Sequence, residues 1–400
     1  MRADVLRQDF LRHVCQTSPS PLGIVVARAE GASVWDAEGR EYLDLLSGMG
    51  VASLGHGHPE VVAAVRAQAE RYLHVMVYGE MVQEPQVALA RRLAELAPGE
   101  LSVVYFTSSG TEAIEGAIKL ARKATGRSRL VAFRGGYHGD TMGALSLCDS
   151  PTYRTPFEPL LADVEFLPFD RPEEMGRIDE RVAAVVVEPI QGEGGVRVPR
   201  PEFLPALRAR CDATGALLVL DEVMTGWART GAWFACQHWG VVPDVLVLAK
   251  ALGGGLPLGA FIGRPELMRT LSHDPPLAHV TTFGGHPLSC AAGLAALAVA
   301  EREALPARAA ALGEAWRARL AASLGSVLRE VRGRGLLIGL EFATPEQTQA
   351  FCRAALSHGL ILNWTLHRDT VVRLAPPLTL SAADSERALT AIEASLECAR

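Results

Sequence analysis

Between residues 103 and 262 the chain alternates short, continuous apolar runs with longer segments of helical period. The runs 103–106, 130–133, 183–188, 216–221, 245–249 and 258–262 are bounded by Gly, Pro or charge and predict buried strands. Helical patterns over 112–124, 202–214 and 287–301 lie among them. Such alternation predicts an α/β fold, a mostly parallel sheet with helices on both faces. Beyond about residue 304 the texture changes to a helix, two glycine-punctuated runs over 331–342, a helix at 345–358, a strand at 371–374 and a last helix. Ser381 with Asp384 three residues on suits the start of that last helix. The expected organisation is an N-terminal segment 1–45, a large domain 46–303 and a small α+β domain 304–400.

Composition narrows the class. With 400 residues, 49% hydrophobic and 21% charged, the chain can bury a large core without staples. Lys+Arg 39 against Asp+Glu 45 gives −6, far from the basic footprint of a nucleic-acid binder. Residues 275–300 lack charge but are broken by Pro275, Pro276, His279, His286 and Pro287, so no membrane span is expected. The first fifteen residues mix Arg2, Arg7 and Arg12 with Asp4 and Asp9, which predicts neither a secretory signal nor a transit peptide. Seven scattered cysteines without a CxxC pair suit a reducing compartment, and the cytoplasm is the expected location. His56 and His58 read as a turn before a helix rather than half a metal site, and no metal is expected. Gly333 and Gly335 do not complete a dinucleotide-binding pattern, and no GxSxG elbow occurs.

The candidate chemistry sits at strand ends, where ligands of doubly wound sheets bind. ALLVLD (216–221) ends in Asp221, and VLVLAK (245–250) ends in Lys250 before a glycine run. A desolvated lysine has a lowered pKa and can form a Schiff base. VVYFTSSG (103–110) enters a helix through Ser-Ser-Gly-Thr, where free N–H groups and hydroxyls can cradle a phosphate. FRGGYHGDT (133–141) places Tyr137 in a glycine-rich loop, suited to lie against a flat ring. A lysine, an acid, a phosphate cup and an aromatic side chain are together the parts required by pyridoxal 5′-phosphate (PLP).

In these motifs the chain resembles the fold-type I, class III PLP-dependent aminotransferases, the group of acetylornithine, ornithine and 4-aminobutyrate aminotransferases. The similarity runs from about Pro21 onward through LGHGHPEVV (54–62), SSGTEAIEGAIKLARK (108–123), YHGDT (137–141), VEPIQGEGGV (187–196), LDEVMTGWARTG (220–231), LAKALGGGLPLGA (248–260), TTFGGHPLSCA (281–291), VRGRGLLIGLEF (331–342) and VRLAPPL (372–378). The resemblance implies Lys250 as the Schiff-base and proton-shuttling lysine and Asp221 as partner of the pyridine nitrogen. It places Val223 and Tyr137 on the two ring faces, Glu188 in support of Asp221, and Gly110 and Thr111 on the phosphate. Thr282 would reach that phosphate from the second subunit of a homodimer with shared active sites. Arg373 would clamp a substrate carboxylate, and Glu193 would mask it when that end of the substrate is uncharged.

The implied reaction moves an amino group from an ω-amino or diamino acid to a 2-oxo acid, 2-oxoglutarate. Three positions depart from relatives. Asp140 replaces an arginine of acetylornithine enzymes, Met224 replaces a frequent Gln, and Met49 stands where a decarboxylase branch carries Gln. Met49, Asp140 and Tyr78 are candidate liners of the donor end. Alternatives with the same cofactor are an amino-acid epimerase, a decarboxylase or a diaminopelargonate-type aminotransferase.

Overall fold

The computed structural model describes residues 3–323 and 327–398. Strands β1 (Val26–Glu30), β2 (Ser33–Asp36) and β3 (Glu41–Asp44) form an antiparallel N-terminal sheet. The apolar runs that follow build one seven-stranded sheet from β4 (Val103–Thr107), β5 (Arg129–Phe133), β6 (Val164–Leu167), β7 (Val182–Val187), β8 (Leu217–Asp221), β9 (Val245–Leu248) and β10 (Gly259–Gly263). Their order is β4-β10-β9-β8-β7-β5-β6. Strands β5 to β9 pair in parallel, and only β10 runs against its neighbours β4 and β9. β4 therefore points the same way as the parallel set, and its carboxyl end reaches the same edge.

All six residues of β7, VAAVVV, are buried, as expected of a strand covered on both faces. One face packs on Phe203, Leu204 and Leu207 of the helix Phe203–Thr214, and the other on Ala113, Ile114 and Ala117 of the helix Gly110–Thr125. Gly116 lets the latter helix lie flush on the sheet, because a Cβ there would meet the Phe261 ring at 2.3 Å.

β11 (Leu328–Arg334), β12 (Leu337–Phe342), β14 (Asn363–Thr365) and β15 (Arg368–Leu374) form an antiparallel sheet in the order β11-β12-β15-β14. β13 (Leu360–Ile361) instead joins β3 in parallel. Ala32, Leu43 and Leu45 share a buried cluster with Phe342, Phe351 and Ile392, so the N-terminal strands pack into the C-terminal unit. Arg229 ties the pieces together from a site 2% exposed: it donates to the Pro376 carbonyl at 2.6 Å, the Leu336 carbonyl at 3.2 Å and Ser53 Oγ at 3.1 Å.

Predicted and observed elements agree through the large sheet to within a few residues, except that β6 was not anticipated. Its sequence, VEFL, carries Glu165, which pairs with Arg129 and Arg177 on the exposed edge and hides the apolar run. Ser381 Oγ accepts the Asp384 N–H at 3.0 Å, as its spacing suggested. His56 Nε2 lies 3.0 Å from Asp44 Oδ2 ahead of the helix Pro59–Arg71, and no metal-binding cluster occurs among the described residues.

Candidate active site

Five strand ends meet at a cavity of about 640 Å³. β4 brings Ser108 to Thr111, the loop after β5 brings Tyr137 to Thr141, β7 brings Glu188, β8 brings Asp221 and Val223, and β9 brings Lys250. Arg373 arrives from β15 of the C-terminal unit.

Lys250 leaves β9 with φ of 50°, a left-handed backbone that non-glycine residues seldom adopt. Its Nζ lies 3.4 Å from Met224 Sδ, so the methionine occupies the space beside the amine. Burial, and then the Arg373 charge, hold this amine below its usual pKa, while Glu193, Asp221 and Glu188 oppose them. The net direction favours a neutral, nucleophilic amine.

Asp221 is 4% exposed. One oxygen accepts the Val223 N–H at 3.0 Å and the other lies 2.8 Å from His138 Nδ1. Burial would depress the His138 pKa, but the Asp221 hydrogen bond and charge outweigh it and raise the pKa, so the ring donates to the carboxylate. His138 was not singled out from the sequence, although it stands beside Tyr137. Its partner is 83 positions away, and only the topology of the parallel sheet joins them.

Glu188 accepts the Tyr137 N–H at 3.0 Å and the Gly192 N–H at 2.8 Å, which fixes two loops against each other. Burial pushes its carboxyl up to about 7, with His138 opposing and Asp221 adding to the rise. A carboxyl of ordinary pKa 4.5 in the unfolded chain thus keeps a proton longer when folded. Stability from this group is present at low pH and lost as pH climbs to about 7. Cofactor-free protein should therefore lose about 1–3 kcal/mol relative to Glu188→Gln between pH 4.5 and pH 8. Urea unfolding of both proteins across that range measures it, and a pH-independent difference would contradict the assignment.

Gly110 and Thr111 open the helix Gly110–Thr125, whose N-cap Ser109 Oγ accepts the Glu112 N–H at 3.3 Å. Thr111 Oγ1 lies 2.7 Å from Thr141 Oγ1, which binds the cup to the Tyr137 loop. A Cβ at Gly139 would meet Thr111 at 2.4 Å, so only glycine allows that approach. Tyr137 donates its hydroxyl to Asp140 Oδ2 at 2.9 Å, with Asp140 exposed at the cavity mouth.

Arg373 is 2% exposed, pairs through Nη1 with Glu193, and has Met49 Sδ 3.7 Å from Nη2. Its Nε is buried and without a hydrogen-bond partner among the described residues. Burial pushes Glu193 up, but Arg373 outweighs it and holds the carboxyl below its ordinary value. Met49 itself touches Arg373 without lining the Lys250 cavity. Thr282 lies outside the cavity, exposed in a separate cleft that Ser108 and Glu112 also line, and Tyr78 lines a third cleft.

These residues fit PLP: a nucleophilic amine, a buried carboxylate held by two donors, a helix N-terminus with hydroxyls for a phosphate, and apolar and aromatic walls. The Aminotransferase class-III family profile matches residues 15–396. The acetylornithine aminotransferase of Methanopyrus kandleri is 45% identical over 92% of this chain and 92% of its own. The putrescine aminotransferase of Pectobacterium atrosepticum is 42% identical over 93% of this chain and 82% of its own. Among solved structures, the ornithine aminotransferase of Toxoplasma gondii, with partial occupancy of PLP at its active site, superposes with a TM-score of 0.92 at 34% identity, covering 99% of this chain and 94% of that one.

Proposed function

This chain belongs to the class III aminotransferase family, and from that premise we propose that it moves an amino group from an ω-amino or diamino donor to 2-oxoglutarate. Its cofactor is PLP, which when bound supplies a carbonyl carbon for the amino group and an electron-accepting ring. In this reading Lys250 Nζ anchors the cofactor at rest and, with substrate bound, is the neutral base that takes the proton from the carbon bearing the amine. Asp221, oriented by His138 and the Val223 N–H, holds the proton on the pyridine nitrogen. Gly110 and Thr111 would hold the phosphate and Val223 and Tyr137 would flank the ring, while Glu188 fixes the Tyr137 backbone.

The observation that carries the donor assignment is the Arg373–Glu193 pair. An arginine fork suits a carboxylate bidentately, and an Nε without a partner among the described residues leaves it incompletely satisfied by Glu193 alone. With Glu193 in place the pocket accepts a substrate end without a carboxylate; with Glu193 displaced, Arg373 takes a carboxylate of 2-oxoglutarate. Asp140 at the cavity mouth, and Met49 through its contact with Arg373, are the residues proposed to meet the donor. The similarity to acetylornithine, putrescine and ornithine aminotransferases supports donors of that kind.

A homodimer completes the site in this reading, with Thr282 reaching the phosphate of the other copy. Exposed Leu277, Val280 and Phe283 surround Thr282 in the chain and supply an apolar surface for that contact. The cytoplasm is the proposed location: all seven cysteines are free, and no helix among the described residues is long and apolar enough to cross a membrane. The test is a donor panel in which purified holoenzyme is mixed with ornithine, acetylornithine, putrescine, 4-aminobutyrate or aspartate while the cofactor absorbance is followed. Bleaching by the ω-amino donors is expected. A response to aspartate alone would overturn the proposal.

A further inference from the structure

The residue that covers Arg373 is itself held from behind. Glu193 gives Oε1 to Arg373, while its Oε2 accepts the Leu366 N–H at 2.8 Å. The next amide, of His367, donates to the Glu193 carbonyl at 3.0 Å. Two successive N–H groups of one turn thus grip both the side chain and the backbone of Glu193. That turn joins β14 to β15, the strand that carries Arg373.

The turn is anchored in its own right to the large domain. The Tyr153 hydroxyl donates to the Leu366 carbonyl at 3.1 Å, and the Tyr153 ring stacks on His367 with centroids 5.4 Å apart. His367 also meets the Tyr137 ring edge-on at 5.9 Å and lies with Nε2 3.6 Å from Cys148 Sγ. An ion pair between Glu193 and Arg373 needs none of these contacts.

We infer that the Leu366–His367 turn is a specificity-determining latch, which sets how readily Glu193 leaves Arg373 and hence the balance between substrates with and without a carboxylate at that end. This rests on the reading that Glu193 masks Arg373. Glu193 and an incoming carboxylate compete for one guanidinium, so the apparent affinity for the carboxylate is reduced by the fraction of molecules in which Arg373 is bare. The Leu366 N–H stabilises the masked state by a hydrogen bond to a charged group, enough to shift that fraction about tenfold. A firm latch favours amine donors, and a loose one favours dicarboxylates.

Calorimetric titration of holoenzyme with glutarate, an unreactive dicarboxylate with the carbon chain of glutamate, reads the bare fraction directly. Leu366→Pro deletes the N–H, Tyr153→Phe removes only the hydroxyl that anchors the turn, and Glu193→Gln weakens the mask itself. Glutarate Kd should fall about tenfold in Leu366→Pro and roughly threefold in Tyr153→Phe. Glu193→Gln should tighten it at least as much as Leu366→Pro, and KM for an amine donor should rise in all three. Tyr153→Phe decides the matter if Leu366→Pro does not fold. Tightening in Glu193→Gln with neither turn variant changed would overturn the latch and leave the mask standing. An unchanged Kd in Glu193→Gln would overturn the mask, and the latch with it.

Discussion

Replacing Lys250 with Ala should lower kcat for amino transfer by at least about 10²–10⁴-fold, the range for loss of a positioned base, and leave no borohydride-reducible cofactor adduct. Two features make this lysine hard to replace. It sits where β9 ends in a left-handed backbone, so its side chain enters the cavity from a fixed point, and burial together with Arg373 keeps its amine below the usual pKa. Met224 Sδ, 3.4 Å from Nζ, carries no proton and cannot take its place. Added methylamine should restore part of the rate, since the vacated volume admits a small amine, whereas a variant damaged by misfolding would not respond. Turnover of Lys250→Ala at the wild-type rate would end the assignment.

The second large effect belongs to Asp221. Asp221→Asn should lower kcat by about 10²–10³-fold, the size typical of deleting one preorganised electrostatic group. Asn keeps the volume and can still accept the Val223 N–H seen at 3.0 Å, so the loss reports the negative charge together with its effect on His138. His138 would change too. Its pKa is raised because the Asp221 hydrogen bond and charge, with Glu188 behind them, outweigh burial, so in the variant the pKa should fall. Steady-state kinetics with cofactor occupancy measured in parallel separates lost charge from lost cofactor. An Asn variant with wild-type kcat would show that the charge is not used.

What the sequence made legible follows from how each feature is encoded. The parallel strands are buried on both faces and read as continuous apolar runs, so β5, β7, β8 and β9 could be placed, and with them the strand ends at Glu188, Asp221 and Lys250. Around β1 to β3 only apolar runs on either side of a turn at 36–40 are legible, because the strands are four or five residues long and carry Arg28, Glu30, Asp36 and Glu41 among their apolar positions. A segment this short is expected to pack on another unit, but the choice of the C-terminal unit, through Leu43 and Leu45, joins residues more than 300 positions apart and leaves no local mark. His138 and the Leu366–His367 turn were missed for a related reason. His138 matters through a partner on another strand, and the turn acts through backbone N–H groups that every residue but proline possesses. Motifs name side chains, whereas these contacts depend on where the chain returns.

Isotope transfer shows whether the terminal amino group of a diamine-type donor ends on 2-oxoglutarate. Holoenzyme would be incubated with 2-oxoglutarate and a donor carrying ¹⁵N only at its terminal amine, and the products examined by mass spectrometry. ¹⁵N-glutamate should form in step with loss of the donor amine, and none should form with Lys250→Ala. Label recovered as free ammonia, a donor returned with its nitrogen in place, or carbon dioxide released without labelled glutamate would contradict that transfer.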